Sequence, residues 1–128
     1  MNPEAWAGQL ARVPPFDRLD PDEVSTLVGV ASARRYGPGE VMLAAGQPVG
    51  RITIILEGSA QEDPGKILGL LPALLGFPQR QTLHASAQGA MCLRIRRGQF
   101  YTIVFECPEI LAWLLEKQGL TPPEEVRP

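Results

Sequence analysis

The sequence predicts one α+β domain, mainly β, with a middle of short strands held between helices at the two ends. Capping signals stand ahead of helically spaced apolar residues at both termini, and glycine and proline punctuate short Val/Ile-rich runs between them. The chain is 128 residues long with 45% hydrophobic residues, enough for one core and too short for two full domains.

Asn2-Pro3-Glu4 supplies an N-cap, a proline at the first helical position and an acidic group on the helix dipole, so a helix is expected over residues 3–12, with Trp6, Leu10 and Val13 on its apolar side. Pro14-Pro15 stops it. Asp20 then caps a second helix, Glu23 completes a capping box, and Val24, Leu27, Val28 and Ala31 recur at helical spacing. From Gly37-Pro38-Gly39 onward the period changes. Val41-Met42-Leu43 and Arg51 to Leu56 read as strands, as do two alternating runs, Leu83-Ala85-Ala87 against Thr82-His84-Ser86 and Met91-Leu93-Ile95 against Cys92-Arg94-Arg96. Helical spacing returns at Phe100, Ile103 and Val104, and again after Pro108-Glu109 at Ile110, Leu111, Leu114 and Leu115. Residues 1–120 are expected to form the domain, and the proline-rich 121–128 a flexible tail.

Composition excludes several functions. Twelve Lys+Arg stand against 14 Asp+Glu, so no strong field draws the chain to nucleic acid or an anionic membrane. Cys92 and Cys107 sit in apolar stretches without metal-ligand spacing, and read as reduced core thiols. No window has the length of a membrane span, and no targeting segment precedes the first helix, so a cytoplasmic protein with no membrane insertion is expected.

Val13-Pro14-Pro15-Phe16-Asp17-Arg18-Leu19-Asp20, Tyr36-Gly37-Pro38-Gly39-Glu40-Val41, Ala45-Gly46-Gln47-Pro48 and Arg51-Ile52-Thr53-Ile54-Ile55-Leu56-Glu57-Gly58 follow one another at compatible spacing. Leu93 to Phe100 and Cys107-Pro108-Glu109-Ile110 complete the series. In this order the strings resemble the cyclic-nucleotide-binding domain family, which includes catabolite-activator-type (Crp/Fnr-like) regulators, kinase regulatory subunits and gated channels. The resemblance implies a jelly-roll-like β-barrel flanked by N- and C-terminal helices, and a non-enzymatic regulatory or ligand-sensing role.

In that family a cassette of Gly-Glu, a short Ala-Leu-Leu helix and Arg-x-Ala-Thr/Ser holds the nucleotide. Backbone N–H groups and the Arg meet the cyclic phosphate, and the Glu accepts from the ribose hydroxyl. Here the stretch runs from Gly69 to Leu83 and contains no carboxylate. If Ala73-Leu74-Leu75 is the cassette helix, Leu71 stands in the place of the Glu, Arg80 falls on the phosphate Arg, and Thr82 lies one residue too close to it. If Gly76-Phe77 takes the Gly-Glu place instead, the helix is missing and Phe77 replaces the Glu. The span between Gly58 and the cassette is also short, which implies a trimmed strand hairpin. Candidate anion contacts are therefore Arg80, Thr82, Gln79 and Gly76, with cyclic AMP or cyclic GMP the ligands the resemblance implies. The loss of the Glu argues against tight binding of either.

Leu71, Leu74, Leu75 and Phe77 belong to an apolar run where the family carries polar contacts. They either fill the core or line a pocket or partner surface, and the second option implies a protein-interaction domain that has lost its ligand. Another protein is the expected partner. A helix-turn-helix reader is absent from the sequence, so direct DNA binding is not expected. His84 lies on a polar strand face with no acid near it in sequence and no nucleophile elbow, and no metal cluster is legible, so no enzyme is expected. Asp17, Asp20, Asp22 and Glu23 have a full account as helix-start residues. Arg94, Arg96 and Arg97 with Arg80 form a candidate basic patch, or a solvated strand edge.

Overall fold

A computed structural model describes residues 3–117. The expected Asn2 cap and the 121–128 tail lie outside them. The elements run α1 (Pro3–Leu10), a 3-10 turn (Phe16–Arg18), α2 (Pro21–Val30), β1 (Ala31–Tyr36), β2 (Val41–Leu43), β3 (Arg51–Ala60), β4 (Ile67–Leu68), α3 (Leu70–Leu75), β5 (Leu83–Arg96), α4 (Arg97–Phe105) and α5 (Pro108–Lys117). This is an α+β, mainly β fold with helices at both ends.

The capping box at α2 forms as expected: the Asp20 carboxylate accepts from the Glu23 N–H at 2.9 Å, and the Glu23 carboxylate accepts from the Asp20 N–H at 3.0 Å. Such a cap contributes about 1 kcal/mol. Ala31 does not extend α2, because the chain straightens there and Ala31 opens β1, a strand the apolar pattern hid. Its sequence, Ala-Ser-Ala-Arg-Arg-Tyr, is too polar to read as a strand and is held by pairing along its whole length with β5. The two expected strands after residue 82 are one 14-residue strand.

All the pairing is antiparallel, in the order β1-β5-β3-β4, with β2 also pairing to β5. Gly58 and Gly89 make the long β3–β5 ladder bend. Both have positive φ, and a Cβ on Gly58 would lie 2.1 Å from the Gly89 carbonyl oxygen. Two backbones approach so closely that no side chain fits, and the register shifts on both sides of the contact. The bend lets one strand serve two parts of the sheet.

Two cores result. Tyr36, Met42, Ile55, Leu68, Leu83 and Cys92 belong to a cluster built from strand residues alone, which fills the inside of the curved sheet. Leu10, Phe16, Leu27, Ile54, Phe100 and Leu114 belong to the other, where the helices pack on the opposite face. Each fully buried Leu, Ile or Phe contributes about 1.5–3 kcal/mol. Cys92, expected on a mostly polar face, is buried because the inner cluster covers that face at its position. Among the described residues, no helix is long and apolar enough to cross a membrane.

Candidate functional site: the α3 cleft

Gly69 leads the chain into α3 in the left-handed region, φ +77°, where a Cβ would come within 2.9 Å of Val49 and 3.3 Å of Leu43. Only glycine passes between them. A helix of six residues follows and closes on Gly76, also left-handed, whose N–H donates to the Pro72 carbonyl at 2.9 Å. The short helix that the first of the two alignments requires is therefore present over Leu70–Leu75. Pro72 is tolerated because the first turn of a helix has N–H groups with no helical partner. Leu70 and Ala73 are buried, and the Tyr101 hydroxyl donates to the Ala73 carbonyl, tying α3 to α4.

The segment after α3 is pinned to the loop between β2 and β3. The Gln79 N–H donates to the Gln47 carbonyl at 2.9 Å, the Gly46 N–H donates to the Gln79 carbonyl at 2.8 Å, and the Thr82 hydroxyl accepts from the Ala45 N–H at 3.0 Å. Thr82 thus spends a lone pair on the scaffold. The Gln79 side-chain amide donates to the Gln81 carbonyl at 2.9 Å, while its carbonyl oxygen is buried without a partner.

An open cleft of about 350 Å³ lies beside α3, lined among others by Leu71, Leu75, Phe77, Gln79, Arg80 and Asp63. Leu74, expected with the lining, packs instead against the helix-side core. Gly76 stands at the turn that closes α3, and a Cβ there would meet open space. The Arg80 guanidinium sits over the Phe77 ring, 4.9 Å from its centroid, and the residue is exposed. It makes none of the ion pairs found among the described residues. The cleft accordingly offers one cation stacked on an aromatic face, an apolar wall, and one carboxylate among its lining residues.

That carboxylate was not legible in the sequence of the cassette, because Asp63 comes from the loop joining β3 to β4. The same loop corrects the reading of His84. Glu62 accepts from the His84 backbone N–H at 2.7 Å and lies 2.5 Å from the ring Nδ1, so an acid does orient the ring. These bonds from His84 hold the Glu62 carboxyl below its usual range. Proximity at the end of the β3–β5 ladder, rather than along the sequence, brings the pair together. The basic patch is also rearranged: Arg80 belongs to the α3 cleft, whereas Arg94 and Arg96 meet Arg51 in a separate one. Arg97 lines neither.

Cys107 is half-buried, and its thiol lies 3.1 Å from a Glu23 carboxylate oxygen; burial and then Glu23 push it up to about 11. Both cysteines are free thiols. Among the described residues, no three His, Cys, Asp or Glu side chains gather as metal ligands.

A curved antiparallel sheet with helices at both ends is the fold of cyclic-nucleotide-binding domains, and solved structures of that class superimpose on the chain. It is similar over 94% of its length to PKAR CBD2 bound to Sp-2Cl-cAMPS, covering 94% of that chain at 19% identity and a TM-score of 0.66. The sensor domain of the transcriptional regulator DNR from Pseudomonas aeruginosa matches 91% of this chain and 88% of its own, at 11% identity and a TM-score of 0.72. The regulatory subunit of a cAMP-independent protein kinase A from Trypanosoma brucei matches 89% of this chain at 20% identity and a TM-score of 0.74, this chain spanning 46% of its length. No family profile and no curated protein matches the sequence.

Proposed function

We propose that the chain is a non-enzymatic regulatory sensor module whose ligand site is the α3 cleft, with Arg80 as the anion anchor and Leu71, Leu75 and Phe77 as its apolar wall. The observation that carries this reading is the retention of a cassette-like helix and a following arginine on one cleft, in a fold whose solved examples include cAMP-bound proteins. That fold alone does not assign the ligand, since a regulatory subunit described as cAMP-independent shares it.

The cleft's chemistry sets the expected affinity. The helix start carries Leu70 and Leu71 and no carboxylate, so a ribose hydroxyl finds no charged acceptor there. One charge-assisted hydrogen bond is worth roughly 1.5–3 kcal/mol, or about one to two decades in affinity. Cyclic AMP and cyclic GMP should bind weakly, through their phosphate and base. Calorimetric titration with both nucleotides, alongside Arg80→Ala, tests this. Saturable binding that is lost in Arg80→Ala supports the reading; no heat at millimolar nucleotide, or heat indifferent to Arg80, sinks it.

A second reading rests on Leu75 and Phe105, which are 64% and 62% exposed. Apolar groups left in water, Leu75 among them on the cleft wall, suit a protein partner that covers them. That is the interaction-domain alternative, and it stands if both nucleotides fail.

A further inference from the structure

A second cleft of about 350 Å³ opens at the other end of β5, lined by Ser32, Arg51, Arg94, Arg96, Gln99 and the end of α2. Cross-strand pairing explains why three arginines meet there. Arg94 stands opposite Ser32 on β1 and Thr53 on β3, and Arg51 stands directly opposite Arg96, so all of them share one face of the sheet. The Arg51 guanidinium donates to the Ser32 hydroxyl at 3.2 Å, which carries it across β5, the strand between them.

Like charges directly opposite on paired strands repel. Neither ion pair found among the described residues involves Arg51, Arg94 or Arg96. The Arg94 Nε is buried with no hydrogen-bond partner. At the cleft's rim, α4 follows its N-cap Arg96 with no side-chain cap and no acidic residue in its first turn, so no carboxylate offsets the positive end of its dipole there. The end of α2 brings the opposite dipole end, about half a charge, against three full ones. A solvated strand edge needs no such convergence.

We propose that this cleft binds a compact phosphate-class anion, with a diphosphate group as the best fit to three guanidiniums. Guanidinium forks match phosphoryl oxygens in pairs, and a cleft of about 350 Å³ on a chain of net charge −2 suits a small anion rather than a nucleic-acid backbone. The assignment is independent of the reading of the α3 cleft.

Calorimetric titration of the chain at low salt with inorganic phosphate, inorganic pyrophosphate and ADP tests it. Pyrophosphate should bind saturably and at least about tenfold more tightly than phosphate. Arg94→Gln, Arg51→Gln and Arg96→Gln should each weaken it, Arg94→Gln by about tenfold or more, whereas Arg80→Ala should not. ADP binding more tightly than pyrophosphate identifies a nucleoside diphosphate as the source of the group, and equal binding a free polyphosphate. Thermal melts separate binding from folding. Without ligand Arg96→Gln should melt no lower than wild type, because it relieves repulsion, and pyrophosphate should raise only the wild-type midpoint appreciably. No saturable heat at millimolar pyrophosphate, or heats equal across wild type and the three arginine variants, overturns the proposal.

Discussion

The two clefts have the same volume, about 350 Å³, and opposite characters. Beside α3, a single guanidinium lies on Phe77, and apolar side chains share the wall with Asp63, Gln79 and Gln81. At the far end of β5, three guanidiniums converge with no carboxylate among their lining neighbours. The α3 cleft is thus the less charged of the two. Likeness of fold and convergence of charge thus point to different clefts of the same chain.

The sharpest way to break that contrast is to remove the bend that keeps the clefts apart. Gly58→Ala forces a Cβ to 2.1 Å from the Gly89 carbonyl at φ +83°, so the β3–β5 ladder must move. Stability should fall by about 3 kcal/mol or more in urea melts, and binding at both clefts should go with it. Gly76→Ala is the companion variant: its φ is +75°, but a Cβ there meets open space. It should cost only about 1–2 kcal/mol and disturb the α3 cleft alone. Equal losses in the two variants would show that the close approach of the two glycines matters less than their backbone angles.

A smaller effect comes from the strand segment between the clefts. Burial pushes the Cys92 thiol up to about 12, against an ordinary value of 9.0. Above pH 9 the unfolded chain releases a proton that the folded chain retains, so stability should fall as pH rises from 9 toward 12. Urea midpoints at pH 8 and pH 10.5 should fall further apart in wild type than in Cys92→Ala. Equal separation would place the ionisation elsewhere.

The smallest expected effect is confined to the loop that brings Asp63 to the α3 cleft. The Glu62 carboxyl is held low by its bonds from His84, so its contribution is present above the ordinary carboxylate range and is lost as pH falls through the lowered value. Acid unfolding should therefore be less steep in Glu62→Ala than in wild type, with pyrophosphate binding unchanged. A loss of pyrophosphate binding in that variant would show that the two ends of the domain are not independent.

Much of this architecture was legible in the sequence, for reasons that the misses clarify. Helix α2 was readable because Asp20 and Glu23 satisfy each other's backbone within four residues, a purely local signal. Strand β1 was not, because Arg34 and Arg35 disguise a segment whose strand identity comes from pairing with residues nearly sixty positions away. The same limit applies to function. Arg80, Phe77 and Leu71 lie close together in the chain and could be singled out by spacing, although their placement in one cleft needed the fold. Asp63 beside that cleft, Glu62 on His84, and Arg51 facing Arg96 are joined only across hairpins and ladders. One faint signal for the last was available: Arg51, Arg94 and Arg96 all sit at polar positions of otherwise apolar strands, as residues that face one way off a sheet must.

Strand β5 begins with Leu83 on the wall of the α3 cleft and ends with Arg94 and Arg96 in the arginine cleft. Its backbone is therefore a built-in ruler between the two. Amide exchange followed residue by residue along Leu83–Arg96, with nucleotide and with pyrophosphate in turn, would report on a single line how far each ligand's influence travels, with Gly89 as the mark where the ruler bends.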